Sequence, residues 1–368
     1  MTTTPERQPL SLSECDDVLA YIPHALGFLP HRSAVFLLLT GRKLEATLRV
    51  DLPVERESPE HERWLGQVAE LIGKLSTVES VIIVFYAEGL DAASTEAPYV
   101  SLFRNAVNCL EQRGLFTHRG WCIGEKWGWD YLAPSGSESF ALGDLRDNAT
   151  NAALVVAGSA PLATPWDGGG ISPWPQAASI RALAAAPECE DIFDSLDAWA
   201  HVLSHPASVA STLMRQDHML CARLLGGLSA RLVRDVLPYL AGVGSERAVN
   251  LIRQLALGRE GPEVSDMADY LLGKGERYPQ WEGVDRLWHL CRDLLGVAQG
   301  EHHSALLCIL AWIEWARGRG SLAITLLKSV LEESPNYRLA KLLRDMVTRG
   351  LMPQWAVDPK HAWRAVHE

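Results

Sequence analysis

The chain has 368 residues, 48% of them hydrophobic and 21% charged, with a formal net charge of -11. This size and composition point to a globular protein of two domains with a sizeable core, and exclude a disordered chain. The acidic balance opposes broad contact with nucleic acid, and no apolar run approaches the roughly 20 residues that span a bilayer.

The seven cysteines are scattered singly, with no CxxC pair. That pattern argues against a disulfide framework or a structural zinc site, and for reduced, buried thiols. The opening MTTTPERQPL is polar and punctuated by proline, unlike a signal peptide. A soluble, cytoplasmic protein is expected.

The first predicted element is a helix. Ser11 and Glu14 have capping-box spacing, and Val18, Ile22 and Leu26 form one stripe with Leu19 beside it. Gly27 is placed to end it, and Pro30 prevents its continuation. Residues 34–39 are continuously apolar, as in a buried central strand. After a turn at Gly41 and Arg42, Leu44, Ala46, Leu48, Val50 and Leu52 alternate with Glu45, Thr47, Arg49 and Asp51. The two runs predict an antiparallel hairpin with one apolar face, closed by Pro53.

Ser58 and Pro59 read as a helix start, followed by Trp64, Leu65, Val68, Leu71, Ile72 and Leu75 at helical spacing. A strand at 81–86 follows. Pro98 opens a helix carrying Leu102, Phe103, Ala106, Val107 and Leu110, which Gly114 ends before an extended run at 115–123. Strand and helix in alternation imply right-handed crossovers and parallel pairing. Trp127, Trp129 and Tyr131 recur at period two on a further strand, and 148–157 is a helix of small residues. Residues 1–160 are thus expected to form an α/β domain with flanking helices. Its sheet should be mixed, mostly parallel, with the hairpin antiparallel.

Glycine and proline crowd 158–175, and a linker is assigned to 161–176. Beyond it the strand signal vanishes. Helices are predicted at 196–203, 209–225, 230–240, 247–257, 284–297, 305–315, 322–331 and 339–347, making 177–368 an all-α domain. Ala311, Gly318, Ala323, Leu327 and Pro335 fit one tetratricopeptide (TPR) hairpin of about 34 residues. Neighbouring windows do not repeat it, so a single TPR-like hairpin is expected.

LAYIPHALGFLPHRSAVFLLL (19–39), RVDLP (49–53) and LAWIEWARGRGSLAITLLKSVLEESPNYRLAKLLRDMVTRGLMPQW (310–355) together resemble the bacterial DUF4192 family. The pattern Pro23-x-x-Leu26-Gly27-Phe28-x-Pro30-x-x-Ser33 carries much of the resemblance, which spans both halves. It implies no established activity. Where relatives continue from Arg-Trp into a cysteine- and proline-rich segment, this chain has Gly120 between Arg119 and Trp121, and the stretch 121–136 (WCIGEKWGWDYLAPSG) holds only Cys122.

No G-x-G-x-x-G follows a strand, and neither a Walker A nor a G-x-S-x-G sequence is present. Gly168, Gly169 and Gly170 lack the strand–loop–helix context of a phosphate cradle and read as connector. His201 and His205, one helical turn apart near Asp194 and Asp197, have metal-sharing spacing. Val202 stands where H-E-x-x-H carries its glutamate, and ordinary surface histidines are the competing reading. Arg49 and Asp51 share the polar face of their strand, either as a structural ion pair or as ligand contacts. Trp121, Trp127, Trp129 and Tyr131, with Arg119 and Asp130, form the densest aromatic cluster, either core or a stacking surface.

The candidate ligand-binding residues are therefore Arg49, Asp51, Arg119, Trp121 and Trp129, and no cofactor is expected. The leading functional reading is a non-catalytic interaction or regulatory protein using its helical half, with a protein partner or a second copy of itself. Trp281, Trp315, Trp355 and Trp363 read as exposed and support it. The alternative is a small-ligand-binding protein or enzyme with its site at the carboxyl ends of the sheet strands. Nucleic-acid binding would be confined to Lys341, Arg344, Arg349, Lys360 and Arg364, a run better read as a solvated helix face.

Overall fold

A computed structural model describes residues 14–363, apart from 54–59, 74, 76, 89–96, 135–137, 144, 157–158, 160, 162, 164–170, 187–188, 190, 257, 259–260 and 359. Ser11, Ser58, Pro59, the three linker glycines and Arg364 lie outside the described residues. The chain divides into two compact units, Met1–Pro165 and Trp166–Glu368.

The first unit runs α1 (Cys15–Leu26), β1 (Ser33–Thr40), β2 (Lys43–Asp51), α2 (Glu60–Gly73), β3 (Ser80–Tyr86), α3 (Val100–Glu111), β4 (Phe116–Ile123), β5 (Trp127–Asp130), β6 (Glu138–Ala141) and α4 (Ala149–Val156). Glu14 caps α1 in a reciprocal box with Asp17, and Gly27 ends it in the left-handed region at φ 85°. The strands form one sheet in the order β2-β1-β3-β4-β5-β6.

The sheet is mixed, but the expectation that it is mostly parallel is corrected. Among the described residues only β3 and β4 pair in parallel, whereas β1–β2, β1–β3, β4–β5 and β5–β6 are antiparallel. The crossover through α2 does bring the chain back in the direction of β2. It lands on the far side of β1, because β1 is buried from Ser33 to Leu38 and needs a strand on each side. A bulge pairs Leu44 with Leu39, directly after the Ala46–Leu38 pair, so Leu44 leaves the predicted alternation. The four-residue strand β6 was not anticipated, since ESFA is too short to show a period.

One sheet face packs Phe36, Leu38, Ile83, Phe85, Cys122 and Trp129 against Val68 and Ile72 of α2 and Leu102, Phe103 and Ala106 of α3. Phe103 stacks on Tyr131 with ring centroids 4.3 Å apart. A Cβ at Gly120 would meet the Phe103 ring. Gly120→Ala should therefore destabilise this unit by about 1–3 kcal/mol through overpacking. Denaturant unfolding checks this, and an unchanged midpoint would mean the ring moves aside. The opposite face carries Val35, Val84 and Trp121. α1 and α4 pack together through Asp17, which accepts from Thr150 Oγ1 (3.1 Å) and Asn148 Nδ2 (3.3 Å).

The second unit is helical: α5 (Ala177–Ala184), α6 (Ile192–Leu203), α7 (Ala207–Gln216), α8 (His218–Gly226), α9 (Arg231–Val243), α10 (Ser245–Ala256), α11 (Pro262–Leu271), α12 (Trp281–Leu294), α13 (Gly300–Ala316), α14 (Gly320–Glu333) and α15 (Arg338–Thr348). The run expected as one helix over 209–225 is two, broken at Asp217, whose carboxylate caps α8 by accepting from the Met219 and Leu220 amides. Every residue of α13 from Ser304 to Ala316 is buried, which makes it the central helix, with α9, α12, α14 and α15 around it.

Trp281, Trp315 and Trp355 are buried and Trp363 half-buried, correcting their expected exposure. The segment after α15 folds back and supplies the reason. Trp281 Nε1 donates to the His361 carbonyl (2.8 Å), Trp315 Nε1 to Leu351 (2.7 Å) and Trp355 Nε1 to Ala316 (2.9 Å). Each large ring is thus buried with its one polar group satisfied.

Candidate functional site

The sheet residues singled out from sequence do not converge. Arg49 Nη1 pairs with Asp51 Oδ1 at 2.5 Å, and Arg49 Nε donates to Ser33 Oγ at 2.8 Å. The Arg49 side chain is 15% exposed and that of Asp51 68%, so the pair sits at the sheet edge with its arginine drawn in. Arg49, Val35, Val84 and Trp121 are cross-strand neighbours on successive strands. Trp121 therefore lies three strand spacings, roughly 14 Å, from Arg49. Trp129 pairs with Cys122 and points to the other face, into the α2–α3 core.

Arg119 lines a cleft of about 500 Å³ with Asp130, Leu132, Pro134, Glu138 and Phe140. Asp130 Oδ1 accepts from the Leu132 amide at 2.9 Å. The nearby Cys15 thiol is pushed up to about 12 by burial and by Asp16 and Asp130, so it is no nucleophile at neutral pH.

Between α1 and α4 lies an arrangement that only the fold assembles. His24 Nδ1 is 2.9 Å from Ser159 Oγ, and His24 Nε2 is 2.9 Å from Asn151 Oδ1. The amide oxygen can only accept, so Nε2 donates, and in the neutral ring Nδ1 accepts from the serine. His24 and Ser159 are both buried, and neither lines a described cleft. The trio ties α1 to α4.

The larger cleft, about 740 Å³, belongs to the helical unit. α7 contributes Ser208, Ser211 and Arg215, and α12 contributes His289, Arg292 and Asp293. Both sets repeat at helical spacing, which is the signal that marks them as one face apiece. The third wall is 171–175, inside the stretch expected as linker. Its Trp174 is buried, and its amide donates to the Gly296 carbonyl at 2.9 Å.

The Arg215 guanidinium lies 4.3 Å over the Trp174 ring, and that of Arg292 lies 5.3 Å over Trp288. Arg215 approaches Asp293 at 3.7 Å, and Ser211 Oγ also donates to Asp293. The His289 pKa is lowered, first by partial desolvation and then by the Arg317 and Arg292 cations. Among the described residues the lining thus carries two guanidiniums and one carboxylate beside His289.

His201 and His205 have ring centroids 4.9 Å apart, but His205 Nδ1 donates to the His201 carbonyl at 2.9 Å and closes the end of α6. Among the described residues no group of three or more His, Cys, Asp or Glu is placed to hold a metal. A last charged cluster surrounds Glu314. Arg317 bonds Glu314 Oε1 (2.7 Å) and Asp285 Oδ1 (2.6 Å), and Arg319 Nη1 lies 3.6 Å from Glu314 Oε2. Both guanidiniums lie over the Trp363 ring, at 4.7 and 4.4 Å. Among the described residues two cations meet two carboxylates there, and with Trp363 Nε1 donating to Asp285 Oδ1 (3.0 Å) the cluster fastens the segment around Trp363.

Compared with known proteins, the chain matches the family described as a domain of unknown function, DUF4192, over residues 16–165 and 175–354. No curated protein and no solved structure matches it.

Proposed function

The chain belongs to the DUF4192 family, whose description assigns no activity, and we propose that it is a non-catalytic binding or regulatory protein acting through its helical unit. The observation that carries this reading is the pair of guanidiniums, Arg215 and Arg292, held over indole rings at the 740 Å³ cleft. A stacked guanidinium is oriented in advance and presents its N–H donors at its rim, which suits a carboxylate or phosphate. Among the residues that line the cleft the charged groups are these two guanidiniums, the Asp293 carboxylate and His289. In this reading the occupant is an acidic group. In this reading the protein is cytoplasmic, and α13 and α14 form the TPR-like hairpin, with Gly318 at φ 81° in its turn.

Citrate and inorganic phosphate serve as probes in a thermal-shift titration of the full chain, with chloride at matched ionic strength as control. Binding at a hundred times the dissociation constant stabilises by about 2.7 kcal/mol. The upward shift should disappear in Arg215→Ala and Arg292→Ala. No shift, or an equal shift in the variants, overturns the reading.

His289 adds a pH signature. Its folded pKa lies below the unfolded value of about 6.5. Its contribution to stability is therefore complete above that pH and is lost as pH falls through the folded value. A bound anion favours the imidazolium and opposes that loss. The anion-induced shift should grow from neutral pH to about pH 5 and stop growing in His289→Gln.

A further inference from the structure

The buried cluster around Glu314 and the helical cleft share one indole. Along α12, Asp285, then Trp288 and His289, then Arg292 and Asp293 follow at spacings of three and four residues, so they line one face. Asp285 belongs to the cluster, whereas His289, Arg292 and Asp293 line the cleft. Arg292 lies roughly 11 Å along the helix axis from Asp285. Trp288 stands between the two, half-buried. The guanidiniums of Arg292 and Arg317 both lie 5.3 Å from the centre of its ring.

Arg317 is fixed from three elements. Glu314 of α13 and Asp285 of α12 accept from its two terminal nitrogens, and the Trp363 ring packs on its guanidinium while donating to the same Asp285 oxygen. Its side chain is 5% exposed, whereas Trp363 is half-buried, so the indole is the member that can lift. Two cations on one ring are each drawn to it and repel each other, so the place of one sets the place of the other. With Trp363 lifted, Arg317 gains room over Trp288 at the expense of Arg292.

We infer that the cleft is governed from the segment around Trp363: that indole fixes Arg317, Arg317 fixes Trp288, and Trp288 presents Arg292 to the bound acidic group. Trp288 and Arg317 are then positioning residues, and the inference rests on the reading of the cleft as an anion site. The coupling is reciprocal, so a bound anion stabilises the seat of Trp363 by the factor that the seat adds to its affinity.

Calorimetric titration of the full chain with inorganic phosphate tests it, beside the Arg292 Nε–H resonance, assigned by its loss in Arg292→Lys. Trp363 does not line the cleft. Trp363→Ala should nevertheless weaken phosphate binding about fivefold, the worth of one cation–π contact, and Trp288→Leu should weaken it at least as much. Trp288→Phe keeps a ring face and should restore most of the affinity. In the Trp288→Leu chain, adding Trp363→Ala should cost nothing further, because the route between them is gone. Parent-like affinity in Trp363→Ala, or losses that simply add in the double variant, overturns the inference. A parent chain that binds no phosphate refutes the anion reading instead. The coupling is then decided by the Arg292 resonance, which Trp363→Ala should move in the parent and not in Trp288→Leu; a signal that stays in place overturns it.

Discussion

Replacing Glu314 with glutamine should lower the stability of the helical unit by about 3–5 kcal/mol. Glu314 is fully buried on the central helix α13, and it is the carboxylate that Arg317 and Arg319 share. Glutamine keeps the shape and removes the charge, so two buried guanidiniums lose the carboxylate they share. For a unit of about 200 residues such a loss moves the melting temperature by on the order of ten degrees. Adding Arg319→Met to Glu314→Gln should recover part of it, because one of the two buried cations goes with the carboxylate. A change below about 1 kcal/mol for Glu314→Gln alone would mean that the arginines reach water.

Trp355→Ala should be nearly as damaging. Its side chain is 1% exposed, its ring lies 5.5 Å from that of Tyr270, and its N–H satisfies the Ala316 carbonyl. Truncating a fully buried aromatic of this size costs about 3–5 kcal/mol. Trp355→Phe retains most of the volume and leaves the carbonyl without its donor, a loss of about 1–3 kcal/mol. Denaturant titration of both variants separates the two contributions. If Trp355→Ala unfolds at the parent midpoint, the segment after α15 is not part of the core.

What was legible in the sequence was local. Gly27 ends α1, Gly41 turns the hairpin, and the stripes of α2 and α3 face the sheet because their spacing is written in adjacent residues. The pairing of β3 was not legible. Both β1 and β2 offer an edge, and the choice depends on β1 being apolar on both faces. The tryptophans failed for a similar reason. MPQWAVD has no period, and the burial of Trp355 is decided by a carbonyl on α13, far away in the chain. Arg49 and Asp51 were visible as a pair, and the ion pair is the contact they make. The helical cleft is not legible in the sequence because its walls come from three segments. Trp174 in particular stands among glycines and prolines that read as connector, although it packs beneath Arg215.

The segment after α15 bears on how the helical unit comes apart. In a stack of repeats each unit closes only on its neighbour, and shortening the stack removes stability piece by piece. Here residues 351–363 reach back to the end of α11 through the Gln354 amide on Gly273, and to α12 and α13 through the indoles of Trp281 and Trp315. Helices distant in sequence share one closing strap. Peeling it away uncovers the central helix along with the ends of its neighbours, so the unit is built to melt in a single cooperative step.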